Sequence, residues 1–217
     1  MKKQDQTYAI VQHGKEGVDR KLLEFAEKHK ATPYLAPIPG HQQEAVDELL
    51  AHLPDMPIIL DSGCGTGMST QRLAEQYPGH FIIGIDKSAH RLKKQSDTLP
   101  NNATLTRLDL IHAWRLFQTA GLSIDQHYLF YPNPWPKDLK KRFHGHPIAK
   151  TLFSLCPSIT LRTNWDVYAE EFGLVASNIY GLEIKAGEIK PDNPITLFEK
   201  KYLEHDVVLF EVTTHPR

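Results

Sequence analysis

Pro57-Ile58-Ile59-Leu60-Asp61-Ser62-Gly63-Cys64-Gly65-Thr66-Gly67 is the stretch that decides the fold. A short apolar run ends in an acid and meets a turn with glycine at every second position; a helix is predicted from about Ser69 to Tyr77, closed by Pro78-Gly79. An apolar run of this length bounded by turn residues reads as a buried strand. Glycines let the backbone pass close to a ligand, and the start of the next helix offers unpaired N–H groups. The pattern returns in Phe81-Ile82-Ile83-Gly84-Ile85-Asp86, followed by a helix from Ser88, and in Ala103 to Leu108, which meets Asp109. His127 to Tyr131 and Ser158 to Arg162 read as a fourth and a fifth strand. Strands alternating with helices imply parallel crossovers and a doubly wound α/β sheet with helices on both faces. Leu182 to Ile189 and Val207 to Val212 read as two last strands with no long helix between them, placed to pair antiparallel at the sheet edge.

Upstream of this core, Gly14 to Lys30 reads as an amphipathic helix with Val18, Leu22, Phe25 and Ala26 on one side. Three prolines between Thr32 and Gly40 forbid helix there, and a second helix is predicted from His41 to His52. The expected division is a helical extension over 1–56 and an α/β domain over 57–217. The 217 residues are 41% hydrophobic and 24% charged, ordinary globular composition that excludes a wholly disordered chain. No apolar run approaches the ~20 residues of a membrane span. The start, Met1 to Gln6, leads into no signal-like apolar stretch, so a cytoplasmic location is expected. Two cysteines, Cys64 and Cys156, fit a reducing compartment, and scattered histidines give no expectation of a metal. With 25 Lys+Arg against 26 Asp+Glu the net charge is −1, which excludes a globally basic nucleic-acid coat but not a local patch. Lys137, Lys140, Lys141, Arg142, His144 and His146 form such a cluster, with Asp138 the one acid among them.

The glycine spacing is G-x-G-x-G, not the G-x-G-x-x-G of dinucleotide enzymes, and Asp61 stands two residues before the first glycine. A carboxylate there repels a pyrophosphate and suits a ligand carrying an ammonium group, such as the methionine end of S-adenosylmethionine. Asp86, ending the second strand, can accept both hydroxyls of a ribose, and Asp109 stands on the adenine side. A plainer reading makes Gly63, Gly65 and Gly67 a tight turn and the acids helix caps.

After the fourth strand comes Tyr131-Pro132-Asn133-Pro134-Trp135-Pro136-Lys137. Prolines bracketing Asn133 fix the backbone, and Trp135 offers a flat face at a strand end, where a planar substrate would be held. The basic run beside it could position phosphates while the rigid loop handles a base. The bland alternative makes Trp135 a core plug and the basic run a solvated helix face.

Pro132 to Lys137 is similar to the PDPWPK-type motif of bacterial tRNA (guanine-N7)-methyltransferases, which a Lys/Arg/His-rich stretch follows there as here. Thr163-Asn164-Trp165-Asp166-Val167-Tyr168-Ala169-Glu170 looks like that family's TDWxxYA segment, and Pro194 to Tyr202, with Thr196-Leu197-Phe198-Glu199, like its TKFE segment. With the glycine turn and Gly84-Ile85-Asp86, the resemblance covers residues 57 to 212. It implies a Rossmann-like class I methyltransferase, S-adenosylmethionine as donor, and the variable-loop guanine of tRNA as acceptor. Carried over by position, Asp61, Gly63, Gly65, Gly67, Asp86 and Asp109 would bind the donor. Asn133 would stand at the donor–acceptor junction as the catalytic position, and Lys137, Asn164, Thr196, Leu197, Phe198 and Glu199 would contact the substrate. Partners implied are tRNA, no membrane and no metal, with monomer or homodimer left open.

The chain departs from the family pattern twice, with Asn133 and Asn164 where the family has Asp. An amide orients a base but neither neutralises it nor acts as a base near neutral pH. Two alternatives therefore stand beside guanine methylation: a related methyltransferase acting on another RNA site or a small molecule, and a weakly active RNA-binding paralogue.

Overall fold

The computed structural model describes residues 17–94 and 99–217. Two helices, α1 (Leu22–Ala31) and α2 (Gly40–Ala51), lead into the alternating part: β1 (Ile58–Ser62), α3 (Met68–Gln76), β2 (Phe81–Asp86), the single turn α4 (Ala89–Leu92), β3 (Ala103–Arg107) and α5 (Leu110–Thr119). The chain continues through β4 (Gln126–Phe130), two short 3₁₀ turns between Leu139 and Gly145, α6 (Ala149–Leu155), β5 (Ile159–Thr163), α7 (Asp166–Asn178), β6 (Glu183–Ile189), α8 (Leu197–Glu204) and β7 (Leu209–His215). The seven strands form one sheet in the order β3-β2-β1-β4-β5-β7-β6. Strands β1 to β5 pair in parallel, and β7 joins β5 and β6 antiparallel, as the two terminal runs predict.

The chain winds outward from β1 to β3, then crosses back so that β4 lies on the other side of β1. The carboxyl ends of β1 and β4 therefore flank the topological switch point, where open α/β sheets bind ligands. Alternation within the strands feeds two unequal cores. Leu60, Ile83, Ile85, Leu129 and Leu161 meet residues of α1, α2, α5, α6 and α7 in the larger cluster. Ile59, Ile82, Tyr128 and Phe130 meet Leu73 and Ala74 of α3 and Ile195 in the smaller one. Leu22, Ala26 and Val46 are buried in the larger cluster, so α1 and α2 pack on the same core as the sheet.

Three expectations are adjusted. The helix predicted from Gly14 begins only at Leu22, because Asp19 turns the chain: its Oδ1 accepts from the Lys21 N–H at 2.8 Å and its own N–H reaches Glu171. Residues 14–16 of that expectation lie outside the described residues. The helix predicted from Ser88 is one turn long up to Leu92, with Ser88 as its cap. Between β6 and β7 stands α8, capped by Thr196, whose Oγ1 accepts from the Glu199 N–H at 3.0 Å. Among the described residues no helix is long and apolar enough to cross a membrane.

Candidate active site

The glycine turn folds back on its neighbour strand. Gly63, Gly65 and Gly67 all have positive φ (82°, 62° and 86°), a conformation open to glycine at little cost. The N–H groups of Gly63 and Cys64 both donate to the Ile85 carbonyl, at 2.7 and 3.0 Å, and the Gly65 N–H donates to Asp86 Oδ2 at 3.1 Å. Asp86 also accepts from the Ser88 N–H at 2.8 Å and pairs with Arg91 at 3.1 Å. Its carboxylate thus braces the turn.

Asp61 is fully buried. Its Oδ2 accepts from Ser69 Oγ at 2.6 Å and Thr70 Oγ1 at 2.7 Å, both in the first turn of α3, while its Oδ1 is buried with no partner. Burial pushes the Asp61 carboxyl up to about 6, against the two hydroxyl bonds that favour its charged form, and nearby Asp86 adds to the rise. Thr70 reaches Asp61 because Gly84 leaves room: a Cβ there would stand 2.3 Å from Thr70 Oγ1 and 2.6 Å from Leu105 Cδ2. Asp109, the third acid, caps α5 by accepting from the Ile111 N–H at 3.0 Å, as the plainer reading of the acids has it, and its own N–H donates to Gln42. Beneath the turn Ser62 Oγ accepts from Trp114 Nε1 at 2.9 Å and bonds His127 Nε2 at 2.8 Å, and burial drives His127 down to about 3. Burial likewise holds the Cys64 thiol protonated, so it packs and does not react.

Across the switch point lies the proline loop. Asn133 is exposed, and its Oδ1 accepts from the Trp135 N–H at 3.2 Å. Trp135 is 39% exposed beneath the Lys141 ammonium, 4.7 Å from its ring centre, so it rims the loop and plugs no core. Lys137 is exposed beside it, and Asn164 is half-buried at the end of β5. The basic run is split and does not form a single surface patch. Arg142 and His144 are buried against Glu171, whereas Lys137, Lys140 and Lys141 stay at the surface. The signal that could have found this is the apolar company of Leu139 and Phe143 within the run.

The Thr196–Glu199 segment divides in the same way. Leu197 and Phe198 are 56% and 54% exposed, and Thr196 is spent as a helix cap. Glu199 is turned fully inward, accepting from Tyr131 Oη at 2.8 Å, Arg162 Nη1 at 3.0 Å and the Ile195 N–H. It ties α8 to the ends of β4 and β5 and offers no surface to a substrate. Arg162 pairs in turn with Glu211 at 2.7 Å. The sequence assigns no role to Ser69, Thr70 or Glu171, and Gly84 figures in it only within the Gly84-Ile85-Asp86 strand end. The Thr-x-x-Glu pattern of a capping box was the available sign of α8. Among the described residues no cluster of three His, Cys, Asp or Glu is arranged to hold a metal.

A family model described as "Putative methyltransferase" matches residues 55–212. The tRNA (guanine-N(7)-)-methyltransferase of Burkholderia ambifaria is 32% identical over 201 residues, spanning 86% of this chain and 74% of that protein. The protein of the same name from Neisseria gonorrhoeae is 29% identical over 168 residues, 70% of this chain and 69% of its own. An antibiotic-related methyltransferase of known structure superposes with a TM-score of 0.52 at 19% identity, over 87% of this chain and 98% of that one, a likeness of fold. A family model matching residues 55–212, together with a relative 32% identical across 86% of this chain and 74% of its own length, places this chain in the bacterial tRNA (guanine-N7)-methyltransferase family.

Proposed function

We propose that the protein transfers a methyl group from S-adenosylmethionine to N7 of a guanine in tRNA, the variable-loop guanine at position 46. The observation that carries the donor half is the buried, unpartnered Oδ1 of Asp61 at the glycine turn. A buried acceptor without a donor is costly, and an incoming ammonium satisfies it and favours the ionised carboxylate. Asp86, one strand over, retains acceptor capacity for a ribose hydroxyl beside its bonds to Gly65 and Ser88. When bound, S-adenosylmethionine supplies an electrophilic methyl group next to the switch point. The donor's affinity is expected to fall as pH drops below about 6, because Asp61 must then lose a proton to meet the ammonium.

Guanine N7 carries a free lone pair, so no general base is needed, and the residues of the loop have only to hold the base in line. Asn133 keeps its two amide N–H groups for that task, and Trp135 and Phe198 offer flat exposed faces. Lys137, Lys140 and Lys141 supply the phosphate contacts. Residues 57–217 carry the chemistry, and the helices before them buttress it. An enzyme acting on tRNA in this way works in the cytoplasm.

Incubating the protein with unmodified tRNA and labelled donor, then mapping the label, tests this reading. Label at guanine N7 in the variable loop is expected; turnover at another atom, or none, contradicts it. A second reading, another RNA site or a small-molecule acceptor, is favoured by Asn133 and Asn164 and by the inward turn of Arg142 and His144, which shrinks the cationic surface. Asn133→Asp separates the two. On the first reading it raises guanine methylation by about tenfold or more, since a carboxylate there stabilises the charge arriving on the purine.

A further inference from the structure

The proline loop has an unusual imbalance. Pro134 and Pro136 have no N–H, so the Pro134-Trp135-Pro136 stretch presents three carbonyls and a single donor. Trp135 holds φ at 43°, a region that a bulky residue occupies only when its surroundings over-determine it. The donors come from Arg142, which has five N–H groups in a rigid fork and no acceptor. Its Nε donates to the Pro134 carbonyl at 3.0 Å, and Nη2 donates to the Pro136 carbonyl at 3.0 Å and the Trp135 carbonyl at 3.3 Å. The guanidinium also lies 5.1 Å from the Trp165 ring centre.

A buried guanidinium needs a countercharge, and Glu171 of α7 provides it through Oε2 to Arg142 Nη1. His144 Nε2 donates to the same oxygen at 2.9 Å, and the Asp19 N–H donates to Oε1 at 3.2 Å. Burial works against the charge on Glu171, but His144 and Arg142 outweigh it and hold the carboxyl below its ordinary range. His144 is itself pushed down by burial, against the pull of the Glu171 carboxylate.

We propose that Glu171 and Arg142 are positioning residues for the acceptor loop. Glu171 fixes the guanidinium, the guanidinium fixes three successive carbonyls, and these fix Asn133 and Trp135 at the switch point. Through Asp19 the same carboxylate ties the segment before α1 to the loop. The assignment of an acceptor to this loop rests on the function proposed above; the mechanical role does not.

Fluorine NMR of protein labelled with 5-fluorotryptophan tests the two separately. The chain has three tryptophans, and Trp135→Phe assigns the resonance of Trp135. In Glu171→Gln the Trp135 resonance is expected to shift or split, while that of Trp114, buried beside Ser62, stays in place. Methyl transfer should then lose about a hundredfold in kcat with the donor KM unchanged, the cost of a loop misplaced by about 1 Å. If Glu171→Gln does not fold, Arg142→Lys carries the same test, since one ammonium cannot span three carbonyls and a carboxylate. A Trp135 resonance that stays unmoved in either folded variant overturns the proposal. A moved resonance in a protein whose wild type methylates no tRNA upholds the positioning role and rejects the functional reading.

Discussion

The glycine turn and the proline loop face each other across the switch point, and they are held in opposite ways. The bonds of the glycines and of Asp61 lie within about one strand–helix–strand unit: the Ile85 carbonyl, the Asp86 carboxylate and the Ser69 and Thr70 hydroxyls, with Ser62 beneath them reaching further, to Trp114 and His127. The loop is braced by a buried charge pair whose second member, Glu171, stands on another helix, and whose third contact, Asp19, lies before α1. A locally held site can be read from its own motif. A remotely held one cannot, because its motif contains the parts that are held and not the parts that hold them.

That contrast can be broken in order of expected effect. Glu171→Ala strands the buried Arg142 and should cost about 3–5 kcal/mol, read as a lower urea midpoint. Should it cost under about 1 kcal/mol, the remote brace is dispensable. Beneath the turn, neutral His127 makes the fold acid-sensitive. Its folded pKa of about 3 lies below its ordinary 6.5, so the stability it contributes is present above 6.5 and lost as pH falls toward 3. Lowering pH from 6.5 to about 4.5 should remove about 2–3 kcal/mol, and His127→Gln should flatten that slope in an acid titration.

Gly84→Ala brings a methyl against Thr70 and Leu105 and should cost about 1–3 kcal/mol in a denaturant titration. It should also weaken donor binding, because Thr70 can no longer reach Asp61. Asp61→Asn has the opposite sign. The folded Asp61 titrates at about 6, above its usual 3.8, so its stability contribution is present at low pH and lost as pH rises from 3.8 through 6. The amide escapes that loss, and melting near neutral pH should show a gain of about 2–3 kcal/mol over the wild type and little near pH 4. Stability gained where ligand affinity is lost is the mark of a residue kept for binding.

Much of the architecture was legible because period, acid and glycine recur together. The ends of β1, β2 and β3 follow from apolar runs that stop at Asp61, Asp86 and Asp109, and the antiparallel edge follows from two late strands without a long crossover. Helix α8 is only eight residues long, and Thr196 and Glu199 stand at capping-box spacing at its start; Glu199 spends its carboxylate on Tyr131, Arg162 and Ile195, a tertiary choice that spacing does not reveal. The sequence groups Arg142 and His144 with their neighbours in one basic cluster, because the burial of a charge depends on a partner, and Glu171 is 29 and 27 residues away. Gly84 lay in plain view in β2, but only the position of Thr70 shows why a side chain there is excluded.

We propose that Asp61 and the glycine turn seat the sulfonium nucleoside S-adenosylmethionine. Calorimetry with S-adenosylhomocysteine, which keeps the ammonium and the ribose, tests it without an acceptor. One site per chain is expected at about pH 7.5, weakening below about pH 6, with Asp61→Asn at least about tenfold weaker at the higher pH. No association with the wild type, or equal affinity in the folded variant at both pH values, would contradict the account.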